Sequence, residues 1–147
     1  MVALTLAASL NLAAASPASA HRQAKKPRLD HSGDSSVGMA SFYHRKFSGR
    51  KMADGTRLDP ESDSAASRSL PLGTVARVTN LKDGSSALVT IRDRGPYAKG
   101  RIIDLSPRTA KQLGIVKAGA ARVEVTPLQV PQPDGSVASV YKPLNQL

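Results

Sequence analysis

The chain of 147 residues has no cysteine and no tryptophan, and its aromatic residues number only three Tyr and two Phe. Without cysteine there is no disulfide framework, no thiolate metal site, no cysteine nucleophile and no lipid-modified cysteine. Stability must come from packing alone. With so few aromatics, Val, Ile, Leu and Ala have to fill the core, which favours a compact β-rich or mixed domain and excludes collagen-like, coiled-coil and disulfide-rich classes. No HExxH, P-loop or Rossmann glycine pattern is present. Acidic residues are also in short supply, 11 Asp and Glu against 21 Lys and Arg, which leaves a net charge of +10 and a pI near 10.4. Such a surface suits a polyanion, or a polymer embedded in an anionic matrix; nucleic acid and cell wall both qualify.

At this length the chain holds one small domain with tails, and one active surface. Residues 1–20 carry no charged side chain and end in Ala18, Ser19 and Ala20, the small-x-small pattern of signal-peptidase cleavage. They read as a secretory signal; the apolar run from residue 2 to 12 is too short to span a membrane. The mature protein is then expected to start near His21. Residues 21–37 have four basic and two acidic side chains and little apolar content, and read as a flexible basic leader. His21 and His31 lie in it, ten residues apart, and do not suggest a metal site. Residues 129–147 are proline-rich and read as a tail, with a short docked strand at residues 137–141. The domain is thus residues 38–128, where 16 Lys and Arg against 8 Asp and Glu leave +8.

Within it, period-two alternation predicts strands at residues 39–43, 75–80, 86–93 and 122–126, with weaker ones at 65–70 and 101–105. Residues 80–85 form a hairpin turn in which Asp83 and Gly84 are expected to supply positive φ. One helix is signalled by Ser106 as cap, Pro107 at its first position, Lys111 in a later turn and Gly114 as its closing residue. About six strands and a short helix point to a small β-barrel.

The most informative stretch is residues 90–106, TIRDRGPYAKGRIIDLS. Ala87, Val89 and Ile91 share one strand face, and strict alternation places Asp93 next on that apolar row. An acid partly withdrawn from water suits general acid catalysis; Arg92 and Arg94 on either side favour the carboxylate instead. Turn capping or pairing with an arginine is the plainer role for such a residue. Asp104, in the run Ile102, Ile103, Asp104, Leu105, is expected to form a structural ion pair with Arg94 or Arg101. Asp54 and Asp59, in the polar loop 49–60, either line a groove or form turns. Ser67 lacks a GxSxG context, and His44 is the only histidine in the domain, which argues against a serine hydrolase.

The segments GMASFYHRKFSGRKMADGTRLDP, AASRSLPLGTVARVTNLKDG and SSALVTIRDRGPYAKGRIIDLSPRTAKQLG resemble, in order and spacing, the rare lipoprotein A family of bacterial cell-envelope proteins. The resemblance runs from Gly38 to about residue 127. It implies a mainly β fold, a six-stranded double-psi β-barrel with one or two short helices, related to expansins and barwin-like domains. It also implies an endolytic lytic transglycosylase that cuts peptidoglycan glycan, preferring strands without stem peptides, to 1,6-anhydro products. Asp93 matches the DRGP aspartate and is the implied catalytic acid. Tyr43, Thr56, Ser67, Arg94 and Tyr97 are the implied substrate-binding residues, although the family often has a glutamate where Thr56 stands and a histidine where Ser67 stands. The family's lipid-attachment cysteine is missing, so a soluble, secreted monomer in the periplasm or cell wall is expected. No cofactor and no metal are implied, and wall-associated or septal proteins are further candidate partners.

Two other readings compete. A non-cleaving, expansin-like glycan-binding module on the same barrel is favoured by Thr56 and Ser67. A nucleic-acid binder is suggested by charge alone; the secretory signal argues against it, and so few aromatics are expected to give no stacking platform.

Overall fold

The structure, a computed structural model, describes residues 28–140; the expected signal, residues 21–27 of the leader and residues 141–147 lie outside the described residues. The elements are β1 (Ser36–Phe42), a 3-10 turn (Arg45–Phe47), β2 (Ser64–Ser67), β3 (Val75–Asn80), β4 (Ser86–Asp93), β5 (Arg101–Leu105), α1 (Pro107–Gln112), β6 (Ala121–Pro131) and β7 (Val137–Ser139). The sheet order is β1-β5-β2-β4-β3-β6-β7, and a further β1–β6 pairing closes the first six strands into a barrel. The pairs β1–β5 and β2–β4 are parallel and the others antiparallel.

Alternation turns one face of each strand inward. Ala76 and Val78 of β3, Val89 and Ile91 of β4, Ile103 and Leu105 of β5, and Val123 and Val125 of β6 are at most 2% exposed, whereas Leu88 between them is 56% exposed. Each fully buried Val, Ile or Leu contributes about 1.5–3 kcal/mol. Burial of this aliphatic set is what holds the barrel, and among the described residues no aromatic side chain belongs to its buried centre. Helix α1 forms as its signals predict and buries Thr109 and Ala110: the Ser106 side chain accepts from the Thr109 amide, Pro107 opens the helix and Gly114 follows it at φ +68°.

Five local features differ from the sequence reading. Residues 28–37 of the expected flexible leader are held along the barrel: the Asp30 amide donates to the Ser69 carbonyl at 2.8 Å, and His31 Nδ1 donates to the Pro131 carbonyl at 2.8 Å. Both bonds end on backbone carbonyls, which composition does not reveal. Strand β1 also starts within that segment, because Ser36 and Val37 pair with Val125 and Glu124 of β6. At the other end β6 runs past residue 128 to Pro131 and pairs with β7. Pro127, just past the expected strand 122–126, sits where the register with β3 slips, a place where a missing N–H does little harm. In the hairpin only Gly84 has positive φ, +75°, while the Asp83 carboxylate accepts from the Ser85 amide and hydroxyl. Finally β2 stops at Ser67, whose hydroxyl accepts from the Ser69 and Leu70 amides and turns the chain.

Gly38 is required by packing. A Cβ there would lie 2.6 Å from Cγ2 and 3.0 Å from Cγ1 of Ile102, both attached directly to a stiff β-branched carbon. Gly38→Ala is therefore expected to destabilise the barrel by about 1–3 kcal/mol, read as a lower urea midpoint at unchanged slope. A midpoint equal to wild type would show that Ile102 yields freely.

Candidate active site

Strand β4 carries its apolar row out of the core and ends it on a carboxylate. Asp93 is 9% exposed, the last inward position after Ala87, Val89 and Ile91. Three donors hold it. Oδ1 accepts from the Ala53 amide at 3.0 Å and the Arg94 amide at 2.9 Å, and Oδ2 accepts from the Tyr43 hydroxyl at 2.8 Å. The donors come from the end of β1, the loop before β2 and the turn after β4, so closing the barrel assembles them. Burial first, then the Asp93 carboxylate, pushes ionisation of the Tyr43 phenol far above its ordinary range. Tyr43 thus remains a hydroxyl donor.

Neither flanking arginine pairs with Asp93. Arg92, on the opposite strand face, meets Asp54 at 3.4 Å. The Arg94 guanidinium donates to the carbonyls of Ser67 at 3.0 Å and Leu70 at 2.7 Å, and burial lowers its proton affinity from a very high ordinary value. It stays a fixed cation beside the carboxylate, with further N–H donors.

These residues border a groove of about 370 Å³ lined by Ser41, Phe42, Tyr43, His44, Phe47, Arg50, Asp93, Arg94, Gly95, Pro96, Tyr97, Arg101 and Asp104. Four of the five aromatic residues of the whole chain are in that lining. Few as they are, the aromatics gather at this groove, and none of those described lies in the fully buried core. Tyr97 stands at the rim, 77% exposed.

Asp104 reaches the same groove in a structural role. Ile103 and Leu105 take the inward positions of β5, which leaves Asp104 on the other face and out of the apolar row. One of its oxygens accepts from the Ser41 hydroxyl at 2.8 Å, and the other meets Arg101 at 3.4 Å, the expected ion pair with the second of the two candidate arginines. Arg101 Nε is buried without a partner.

Of the residues singled out from sequence, Asp93, Tyr43, Arg94 and Tyr97 meet in the groove. Thr56 and Ser67 are not in its lining. The Thr56 hydroxyl and amide donate to Asp54 Oδ1 at 2.6 and 2.9 Å, because an Asp-Gly-Thr run closes on itself as a turn. Burial opposes ionisation of Asp54, but these two bonds and Arg92 outweigh it and hold the carboxyl below the ordinary carboxylate range. Ser67 is 2% exposed and occupied by its own turn. Asp59 likewise accepts from the Glu61 amide, so both loop acids form turns. Ser41, Phe42, Phe47 and Arg50 were missed, and His44 and Arg101 were considered only in other roles. A signal for them existed: three of the five aromatics fall within the seven residues SFYHRKF, from the end of β1 through the 3-10 turn.

Comparison with known proteins adds relatives to this geometry. Residues 35–125 match a family model described as lytic transglycolase. The chain is 51% identical over 90 residues to the probable endolytic peptidoglycan transglycosylase RlpA of Nostoc sp., covering 60% of this chain and 24% of that protein. It is 44% identical over 99 residues to the endolytic peptidoglycan transglycosylase RlpA of Pasteurella multocida, covering 67% and 34%. The chain thus spans about a quarter to a third of the length of these curated relatives. Among solved structures the Streptomyces papain inhibitor superposes with a TM-score of 0.50 at 23% identity, covering 64% of this chain and 94% of that one, a likeness of fold alone. The six-stranded closure, the matched segment and these relatives agree, and the chain belongs to the rare lipoprotein A family of lytic-transglycolase double-psi β-barrels.

Proposed function

We propose that this groove cleaves the glycan of peptidoglycan as an endolytic lytic transglycosylase, acting on strands without stem peptides and leaving 1,6-anhydro ends. One observation carries the reading: a nearly buried carboxylate, in no ion pair among the described residues, opens into the groove that holds four of the chain's five aromatics. The names of the relatives, endolytic peptidoglycan transglycosylases, support it. The place of action would be the periplasm or cell wall.

Asp93 Oδ1 is occupied by two amides, whereas Oδ2 takes one hydroxyl and keeps a lone-pair position. Oδ2 is therefore the atom that moves the proton. Protonated, it gives its proton to the glycosidic oxygen as the bond to C1 breaks and the bonding pair leaves with that oxygen. As a carboxylate, it then takes the proton of the same sugar's C6 hydroxyl while O6 bonds to C1. One carboxyl serves both steps and no water is consumed. Tyr43 orients Oδ2, Arg94 sets a fixed positive charge beside it, and Tyr97 and Phe47 offer faces for sugar rings. Both oxygens of Asp104 are already engaged, by Ser41 and Arg101, which argues against a two-carboxylate hydrolysis.

The test is mass spectrometry of stripped glycan strands after incubation with the purified chain. New 1,6-anhydro ends are expected. Strands that are bound but left intact would instead make this a glycan-binding module, the reading in which Asp93 with its three donors only fixes the groove's shape.

A further inference from the structure

A second groove, of about 430 Å³, adjoins the first across a shared wall of Phe42, Tyr43 and His44. Pro107 and Val116 form its apolar far side, and its two charged lining residues, Arg45 and Lys111, are both cations. They arrive from different elements, Arg45 from the 3-10 turn after β1 and Lys111 from α1. No acidic side chain lines this groove, and neither cation takes part in the ion pairs found among the described residues. Lys46 and Arg50 lie over the Phe47 ring at 5.3 and 5.7 Å, and Phe47 and Arg50 belong to the first groove, so Arg45 and Lys111 are the cations of the second. An apolar floor under two unpaired cations fits a small group with a hydrocarbon body and an anionic end.

We infer that this second groove is a subsite for the carboxylate of a lactyl ether on the glycan strand lying in the Asp93 groove. The inference rests on the proposed glycan substrate and deepens it. In peptidoglycan every second sugar bears such an ether, a short apolar stem ending in a carboxylate. A strand crossing the Phe42–His44 wall passes that substituent from the groove of chemistry to the groove of charge. Converting the carboxylate to an amide keeps the size and removes the charge, so the subsite distinguishes the two forms by electrostatics. Both cations are exposed, so the contribution of each is modest and falls with salt.

The experiment is equilibrium binding by the full chain carrying Asp93→Asn, so that no strand is consumed. Two stripped oligosaccharides are compared, one with free lactyl carboxylates and one with the same carboxylates as primary amides. The free acid is expected to bind about three- to tenfold tighter at low salt, with the ratio shrinking as salt rises. Adding Arg45→Gln and Lys111→Gln is expected to bring the ratio to about one while binding of the amide is unchanged. Adding Arg77→Gln and Lys82→Gln instead removes equal charge away from both grooves and should leave the ratio intact. A ratio of one in the parent, a ratio that survives Arg45→Gln with Lys111→Gln, or no binding to either oligosaccharide overturns the subsite. Release of anhydro ends by the unaltered chain is scored separately. A ratio of one in the parent beside release of anhydro ends sinks the subsite alone, and a ratio that follows Arg45 and Lys111 without any release sinks the cleavage alone.

Discussion

Asp93→Asn is expected to lower release of 1,6-anhydro ends toward the upper end of the about 10²- to 10⁴-fold range of general acid–base groups, with the fold intact. The asparagine oxygen still accepts from the Ala53 and Arg94 amides. Its amide nitrogen then faces the Tyr43 hydroxyl, which has a lone pair to offer. What is lost is the ability to give and take a proton. Turnover would be followed by product mass and folding by thermal melting. A variant within tenfold of wild type would remove Asp93 from the chemistry, and one that fails to melt cooperatively would make its role structural.

The largest expected effect on stability lies two residues earlier on the same strand. Ile91→Ala empties a fully buried position under Asp93, and such truncations cost about 2–5 kcal/mol. Against a total of about 5–15 kcal/mol for a typical domain, that is a large share, and the melting temperature should fall by about 10 °C or more. Leu88→Ala, on the outer face of β4, should stay within about 0.5 kcal/mol. Urea unfolding of the two variants side by side checks the assignment of faces. Equal losses would mean that β4 does not present its odd-numbered residues to the core.

The same alternation explains how much of the molecule was legible in advance. A period of two along β4 places Ala87, Val89, Ile91 and Asp93 on one row, and the row is real because the barrel closes around it. Local chemistry also read well where it acts locally: Ser106, Pro107 and Gly114 delimit α1 because capping needs only neighbouring residues. Legibility failed where partners are remote. The docking of Asp30 and His31 depends on the carbonyls of Ser69 and Pro131, and no residue type announces it. Likewise Asp104 looked like a core intruder in an apolar run, although Ile103 and Leu105 alone face inward and Ile102 and Asp104 do not. Thr56 and Ser67 were singled out by likeness to family positions, but each hydroxyl is consumed by a turn a few residues long. The aromatics misled in a different way. Their small number hid their placement, because composition averages over a chain that spends four of five on one groove.

The central claim is that Asp93 drives an attack from within the sugar, without water. Digestion of stripped strands in water enriched in heavy oxygen tests it most directly. Products are predicted to be one water lighter than hydrolysis products and to carry no label at C1. Reducing ends of full hydrolytic mass with heavy oxygen at C1 would contradict the account, since water and not O6 would then have closed the bond.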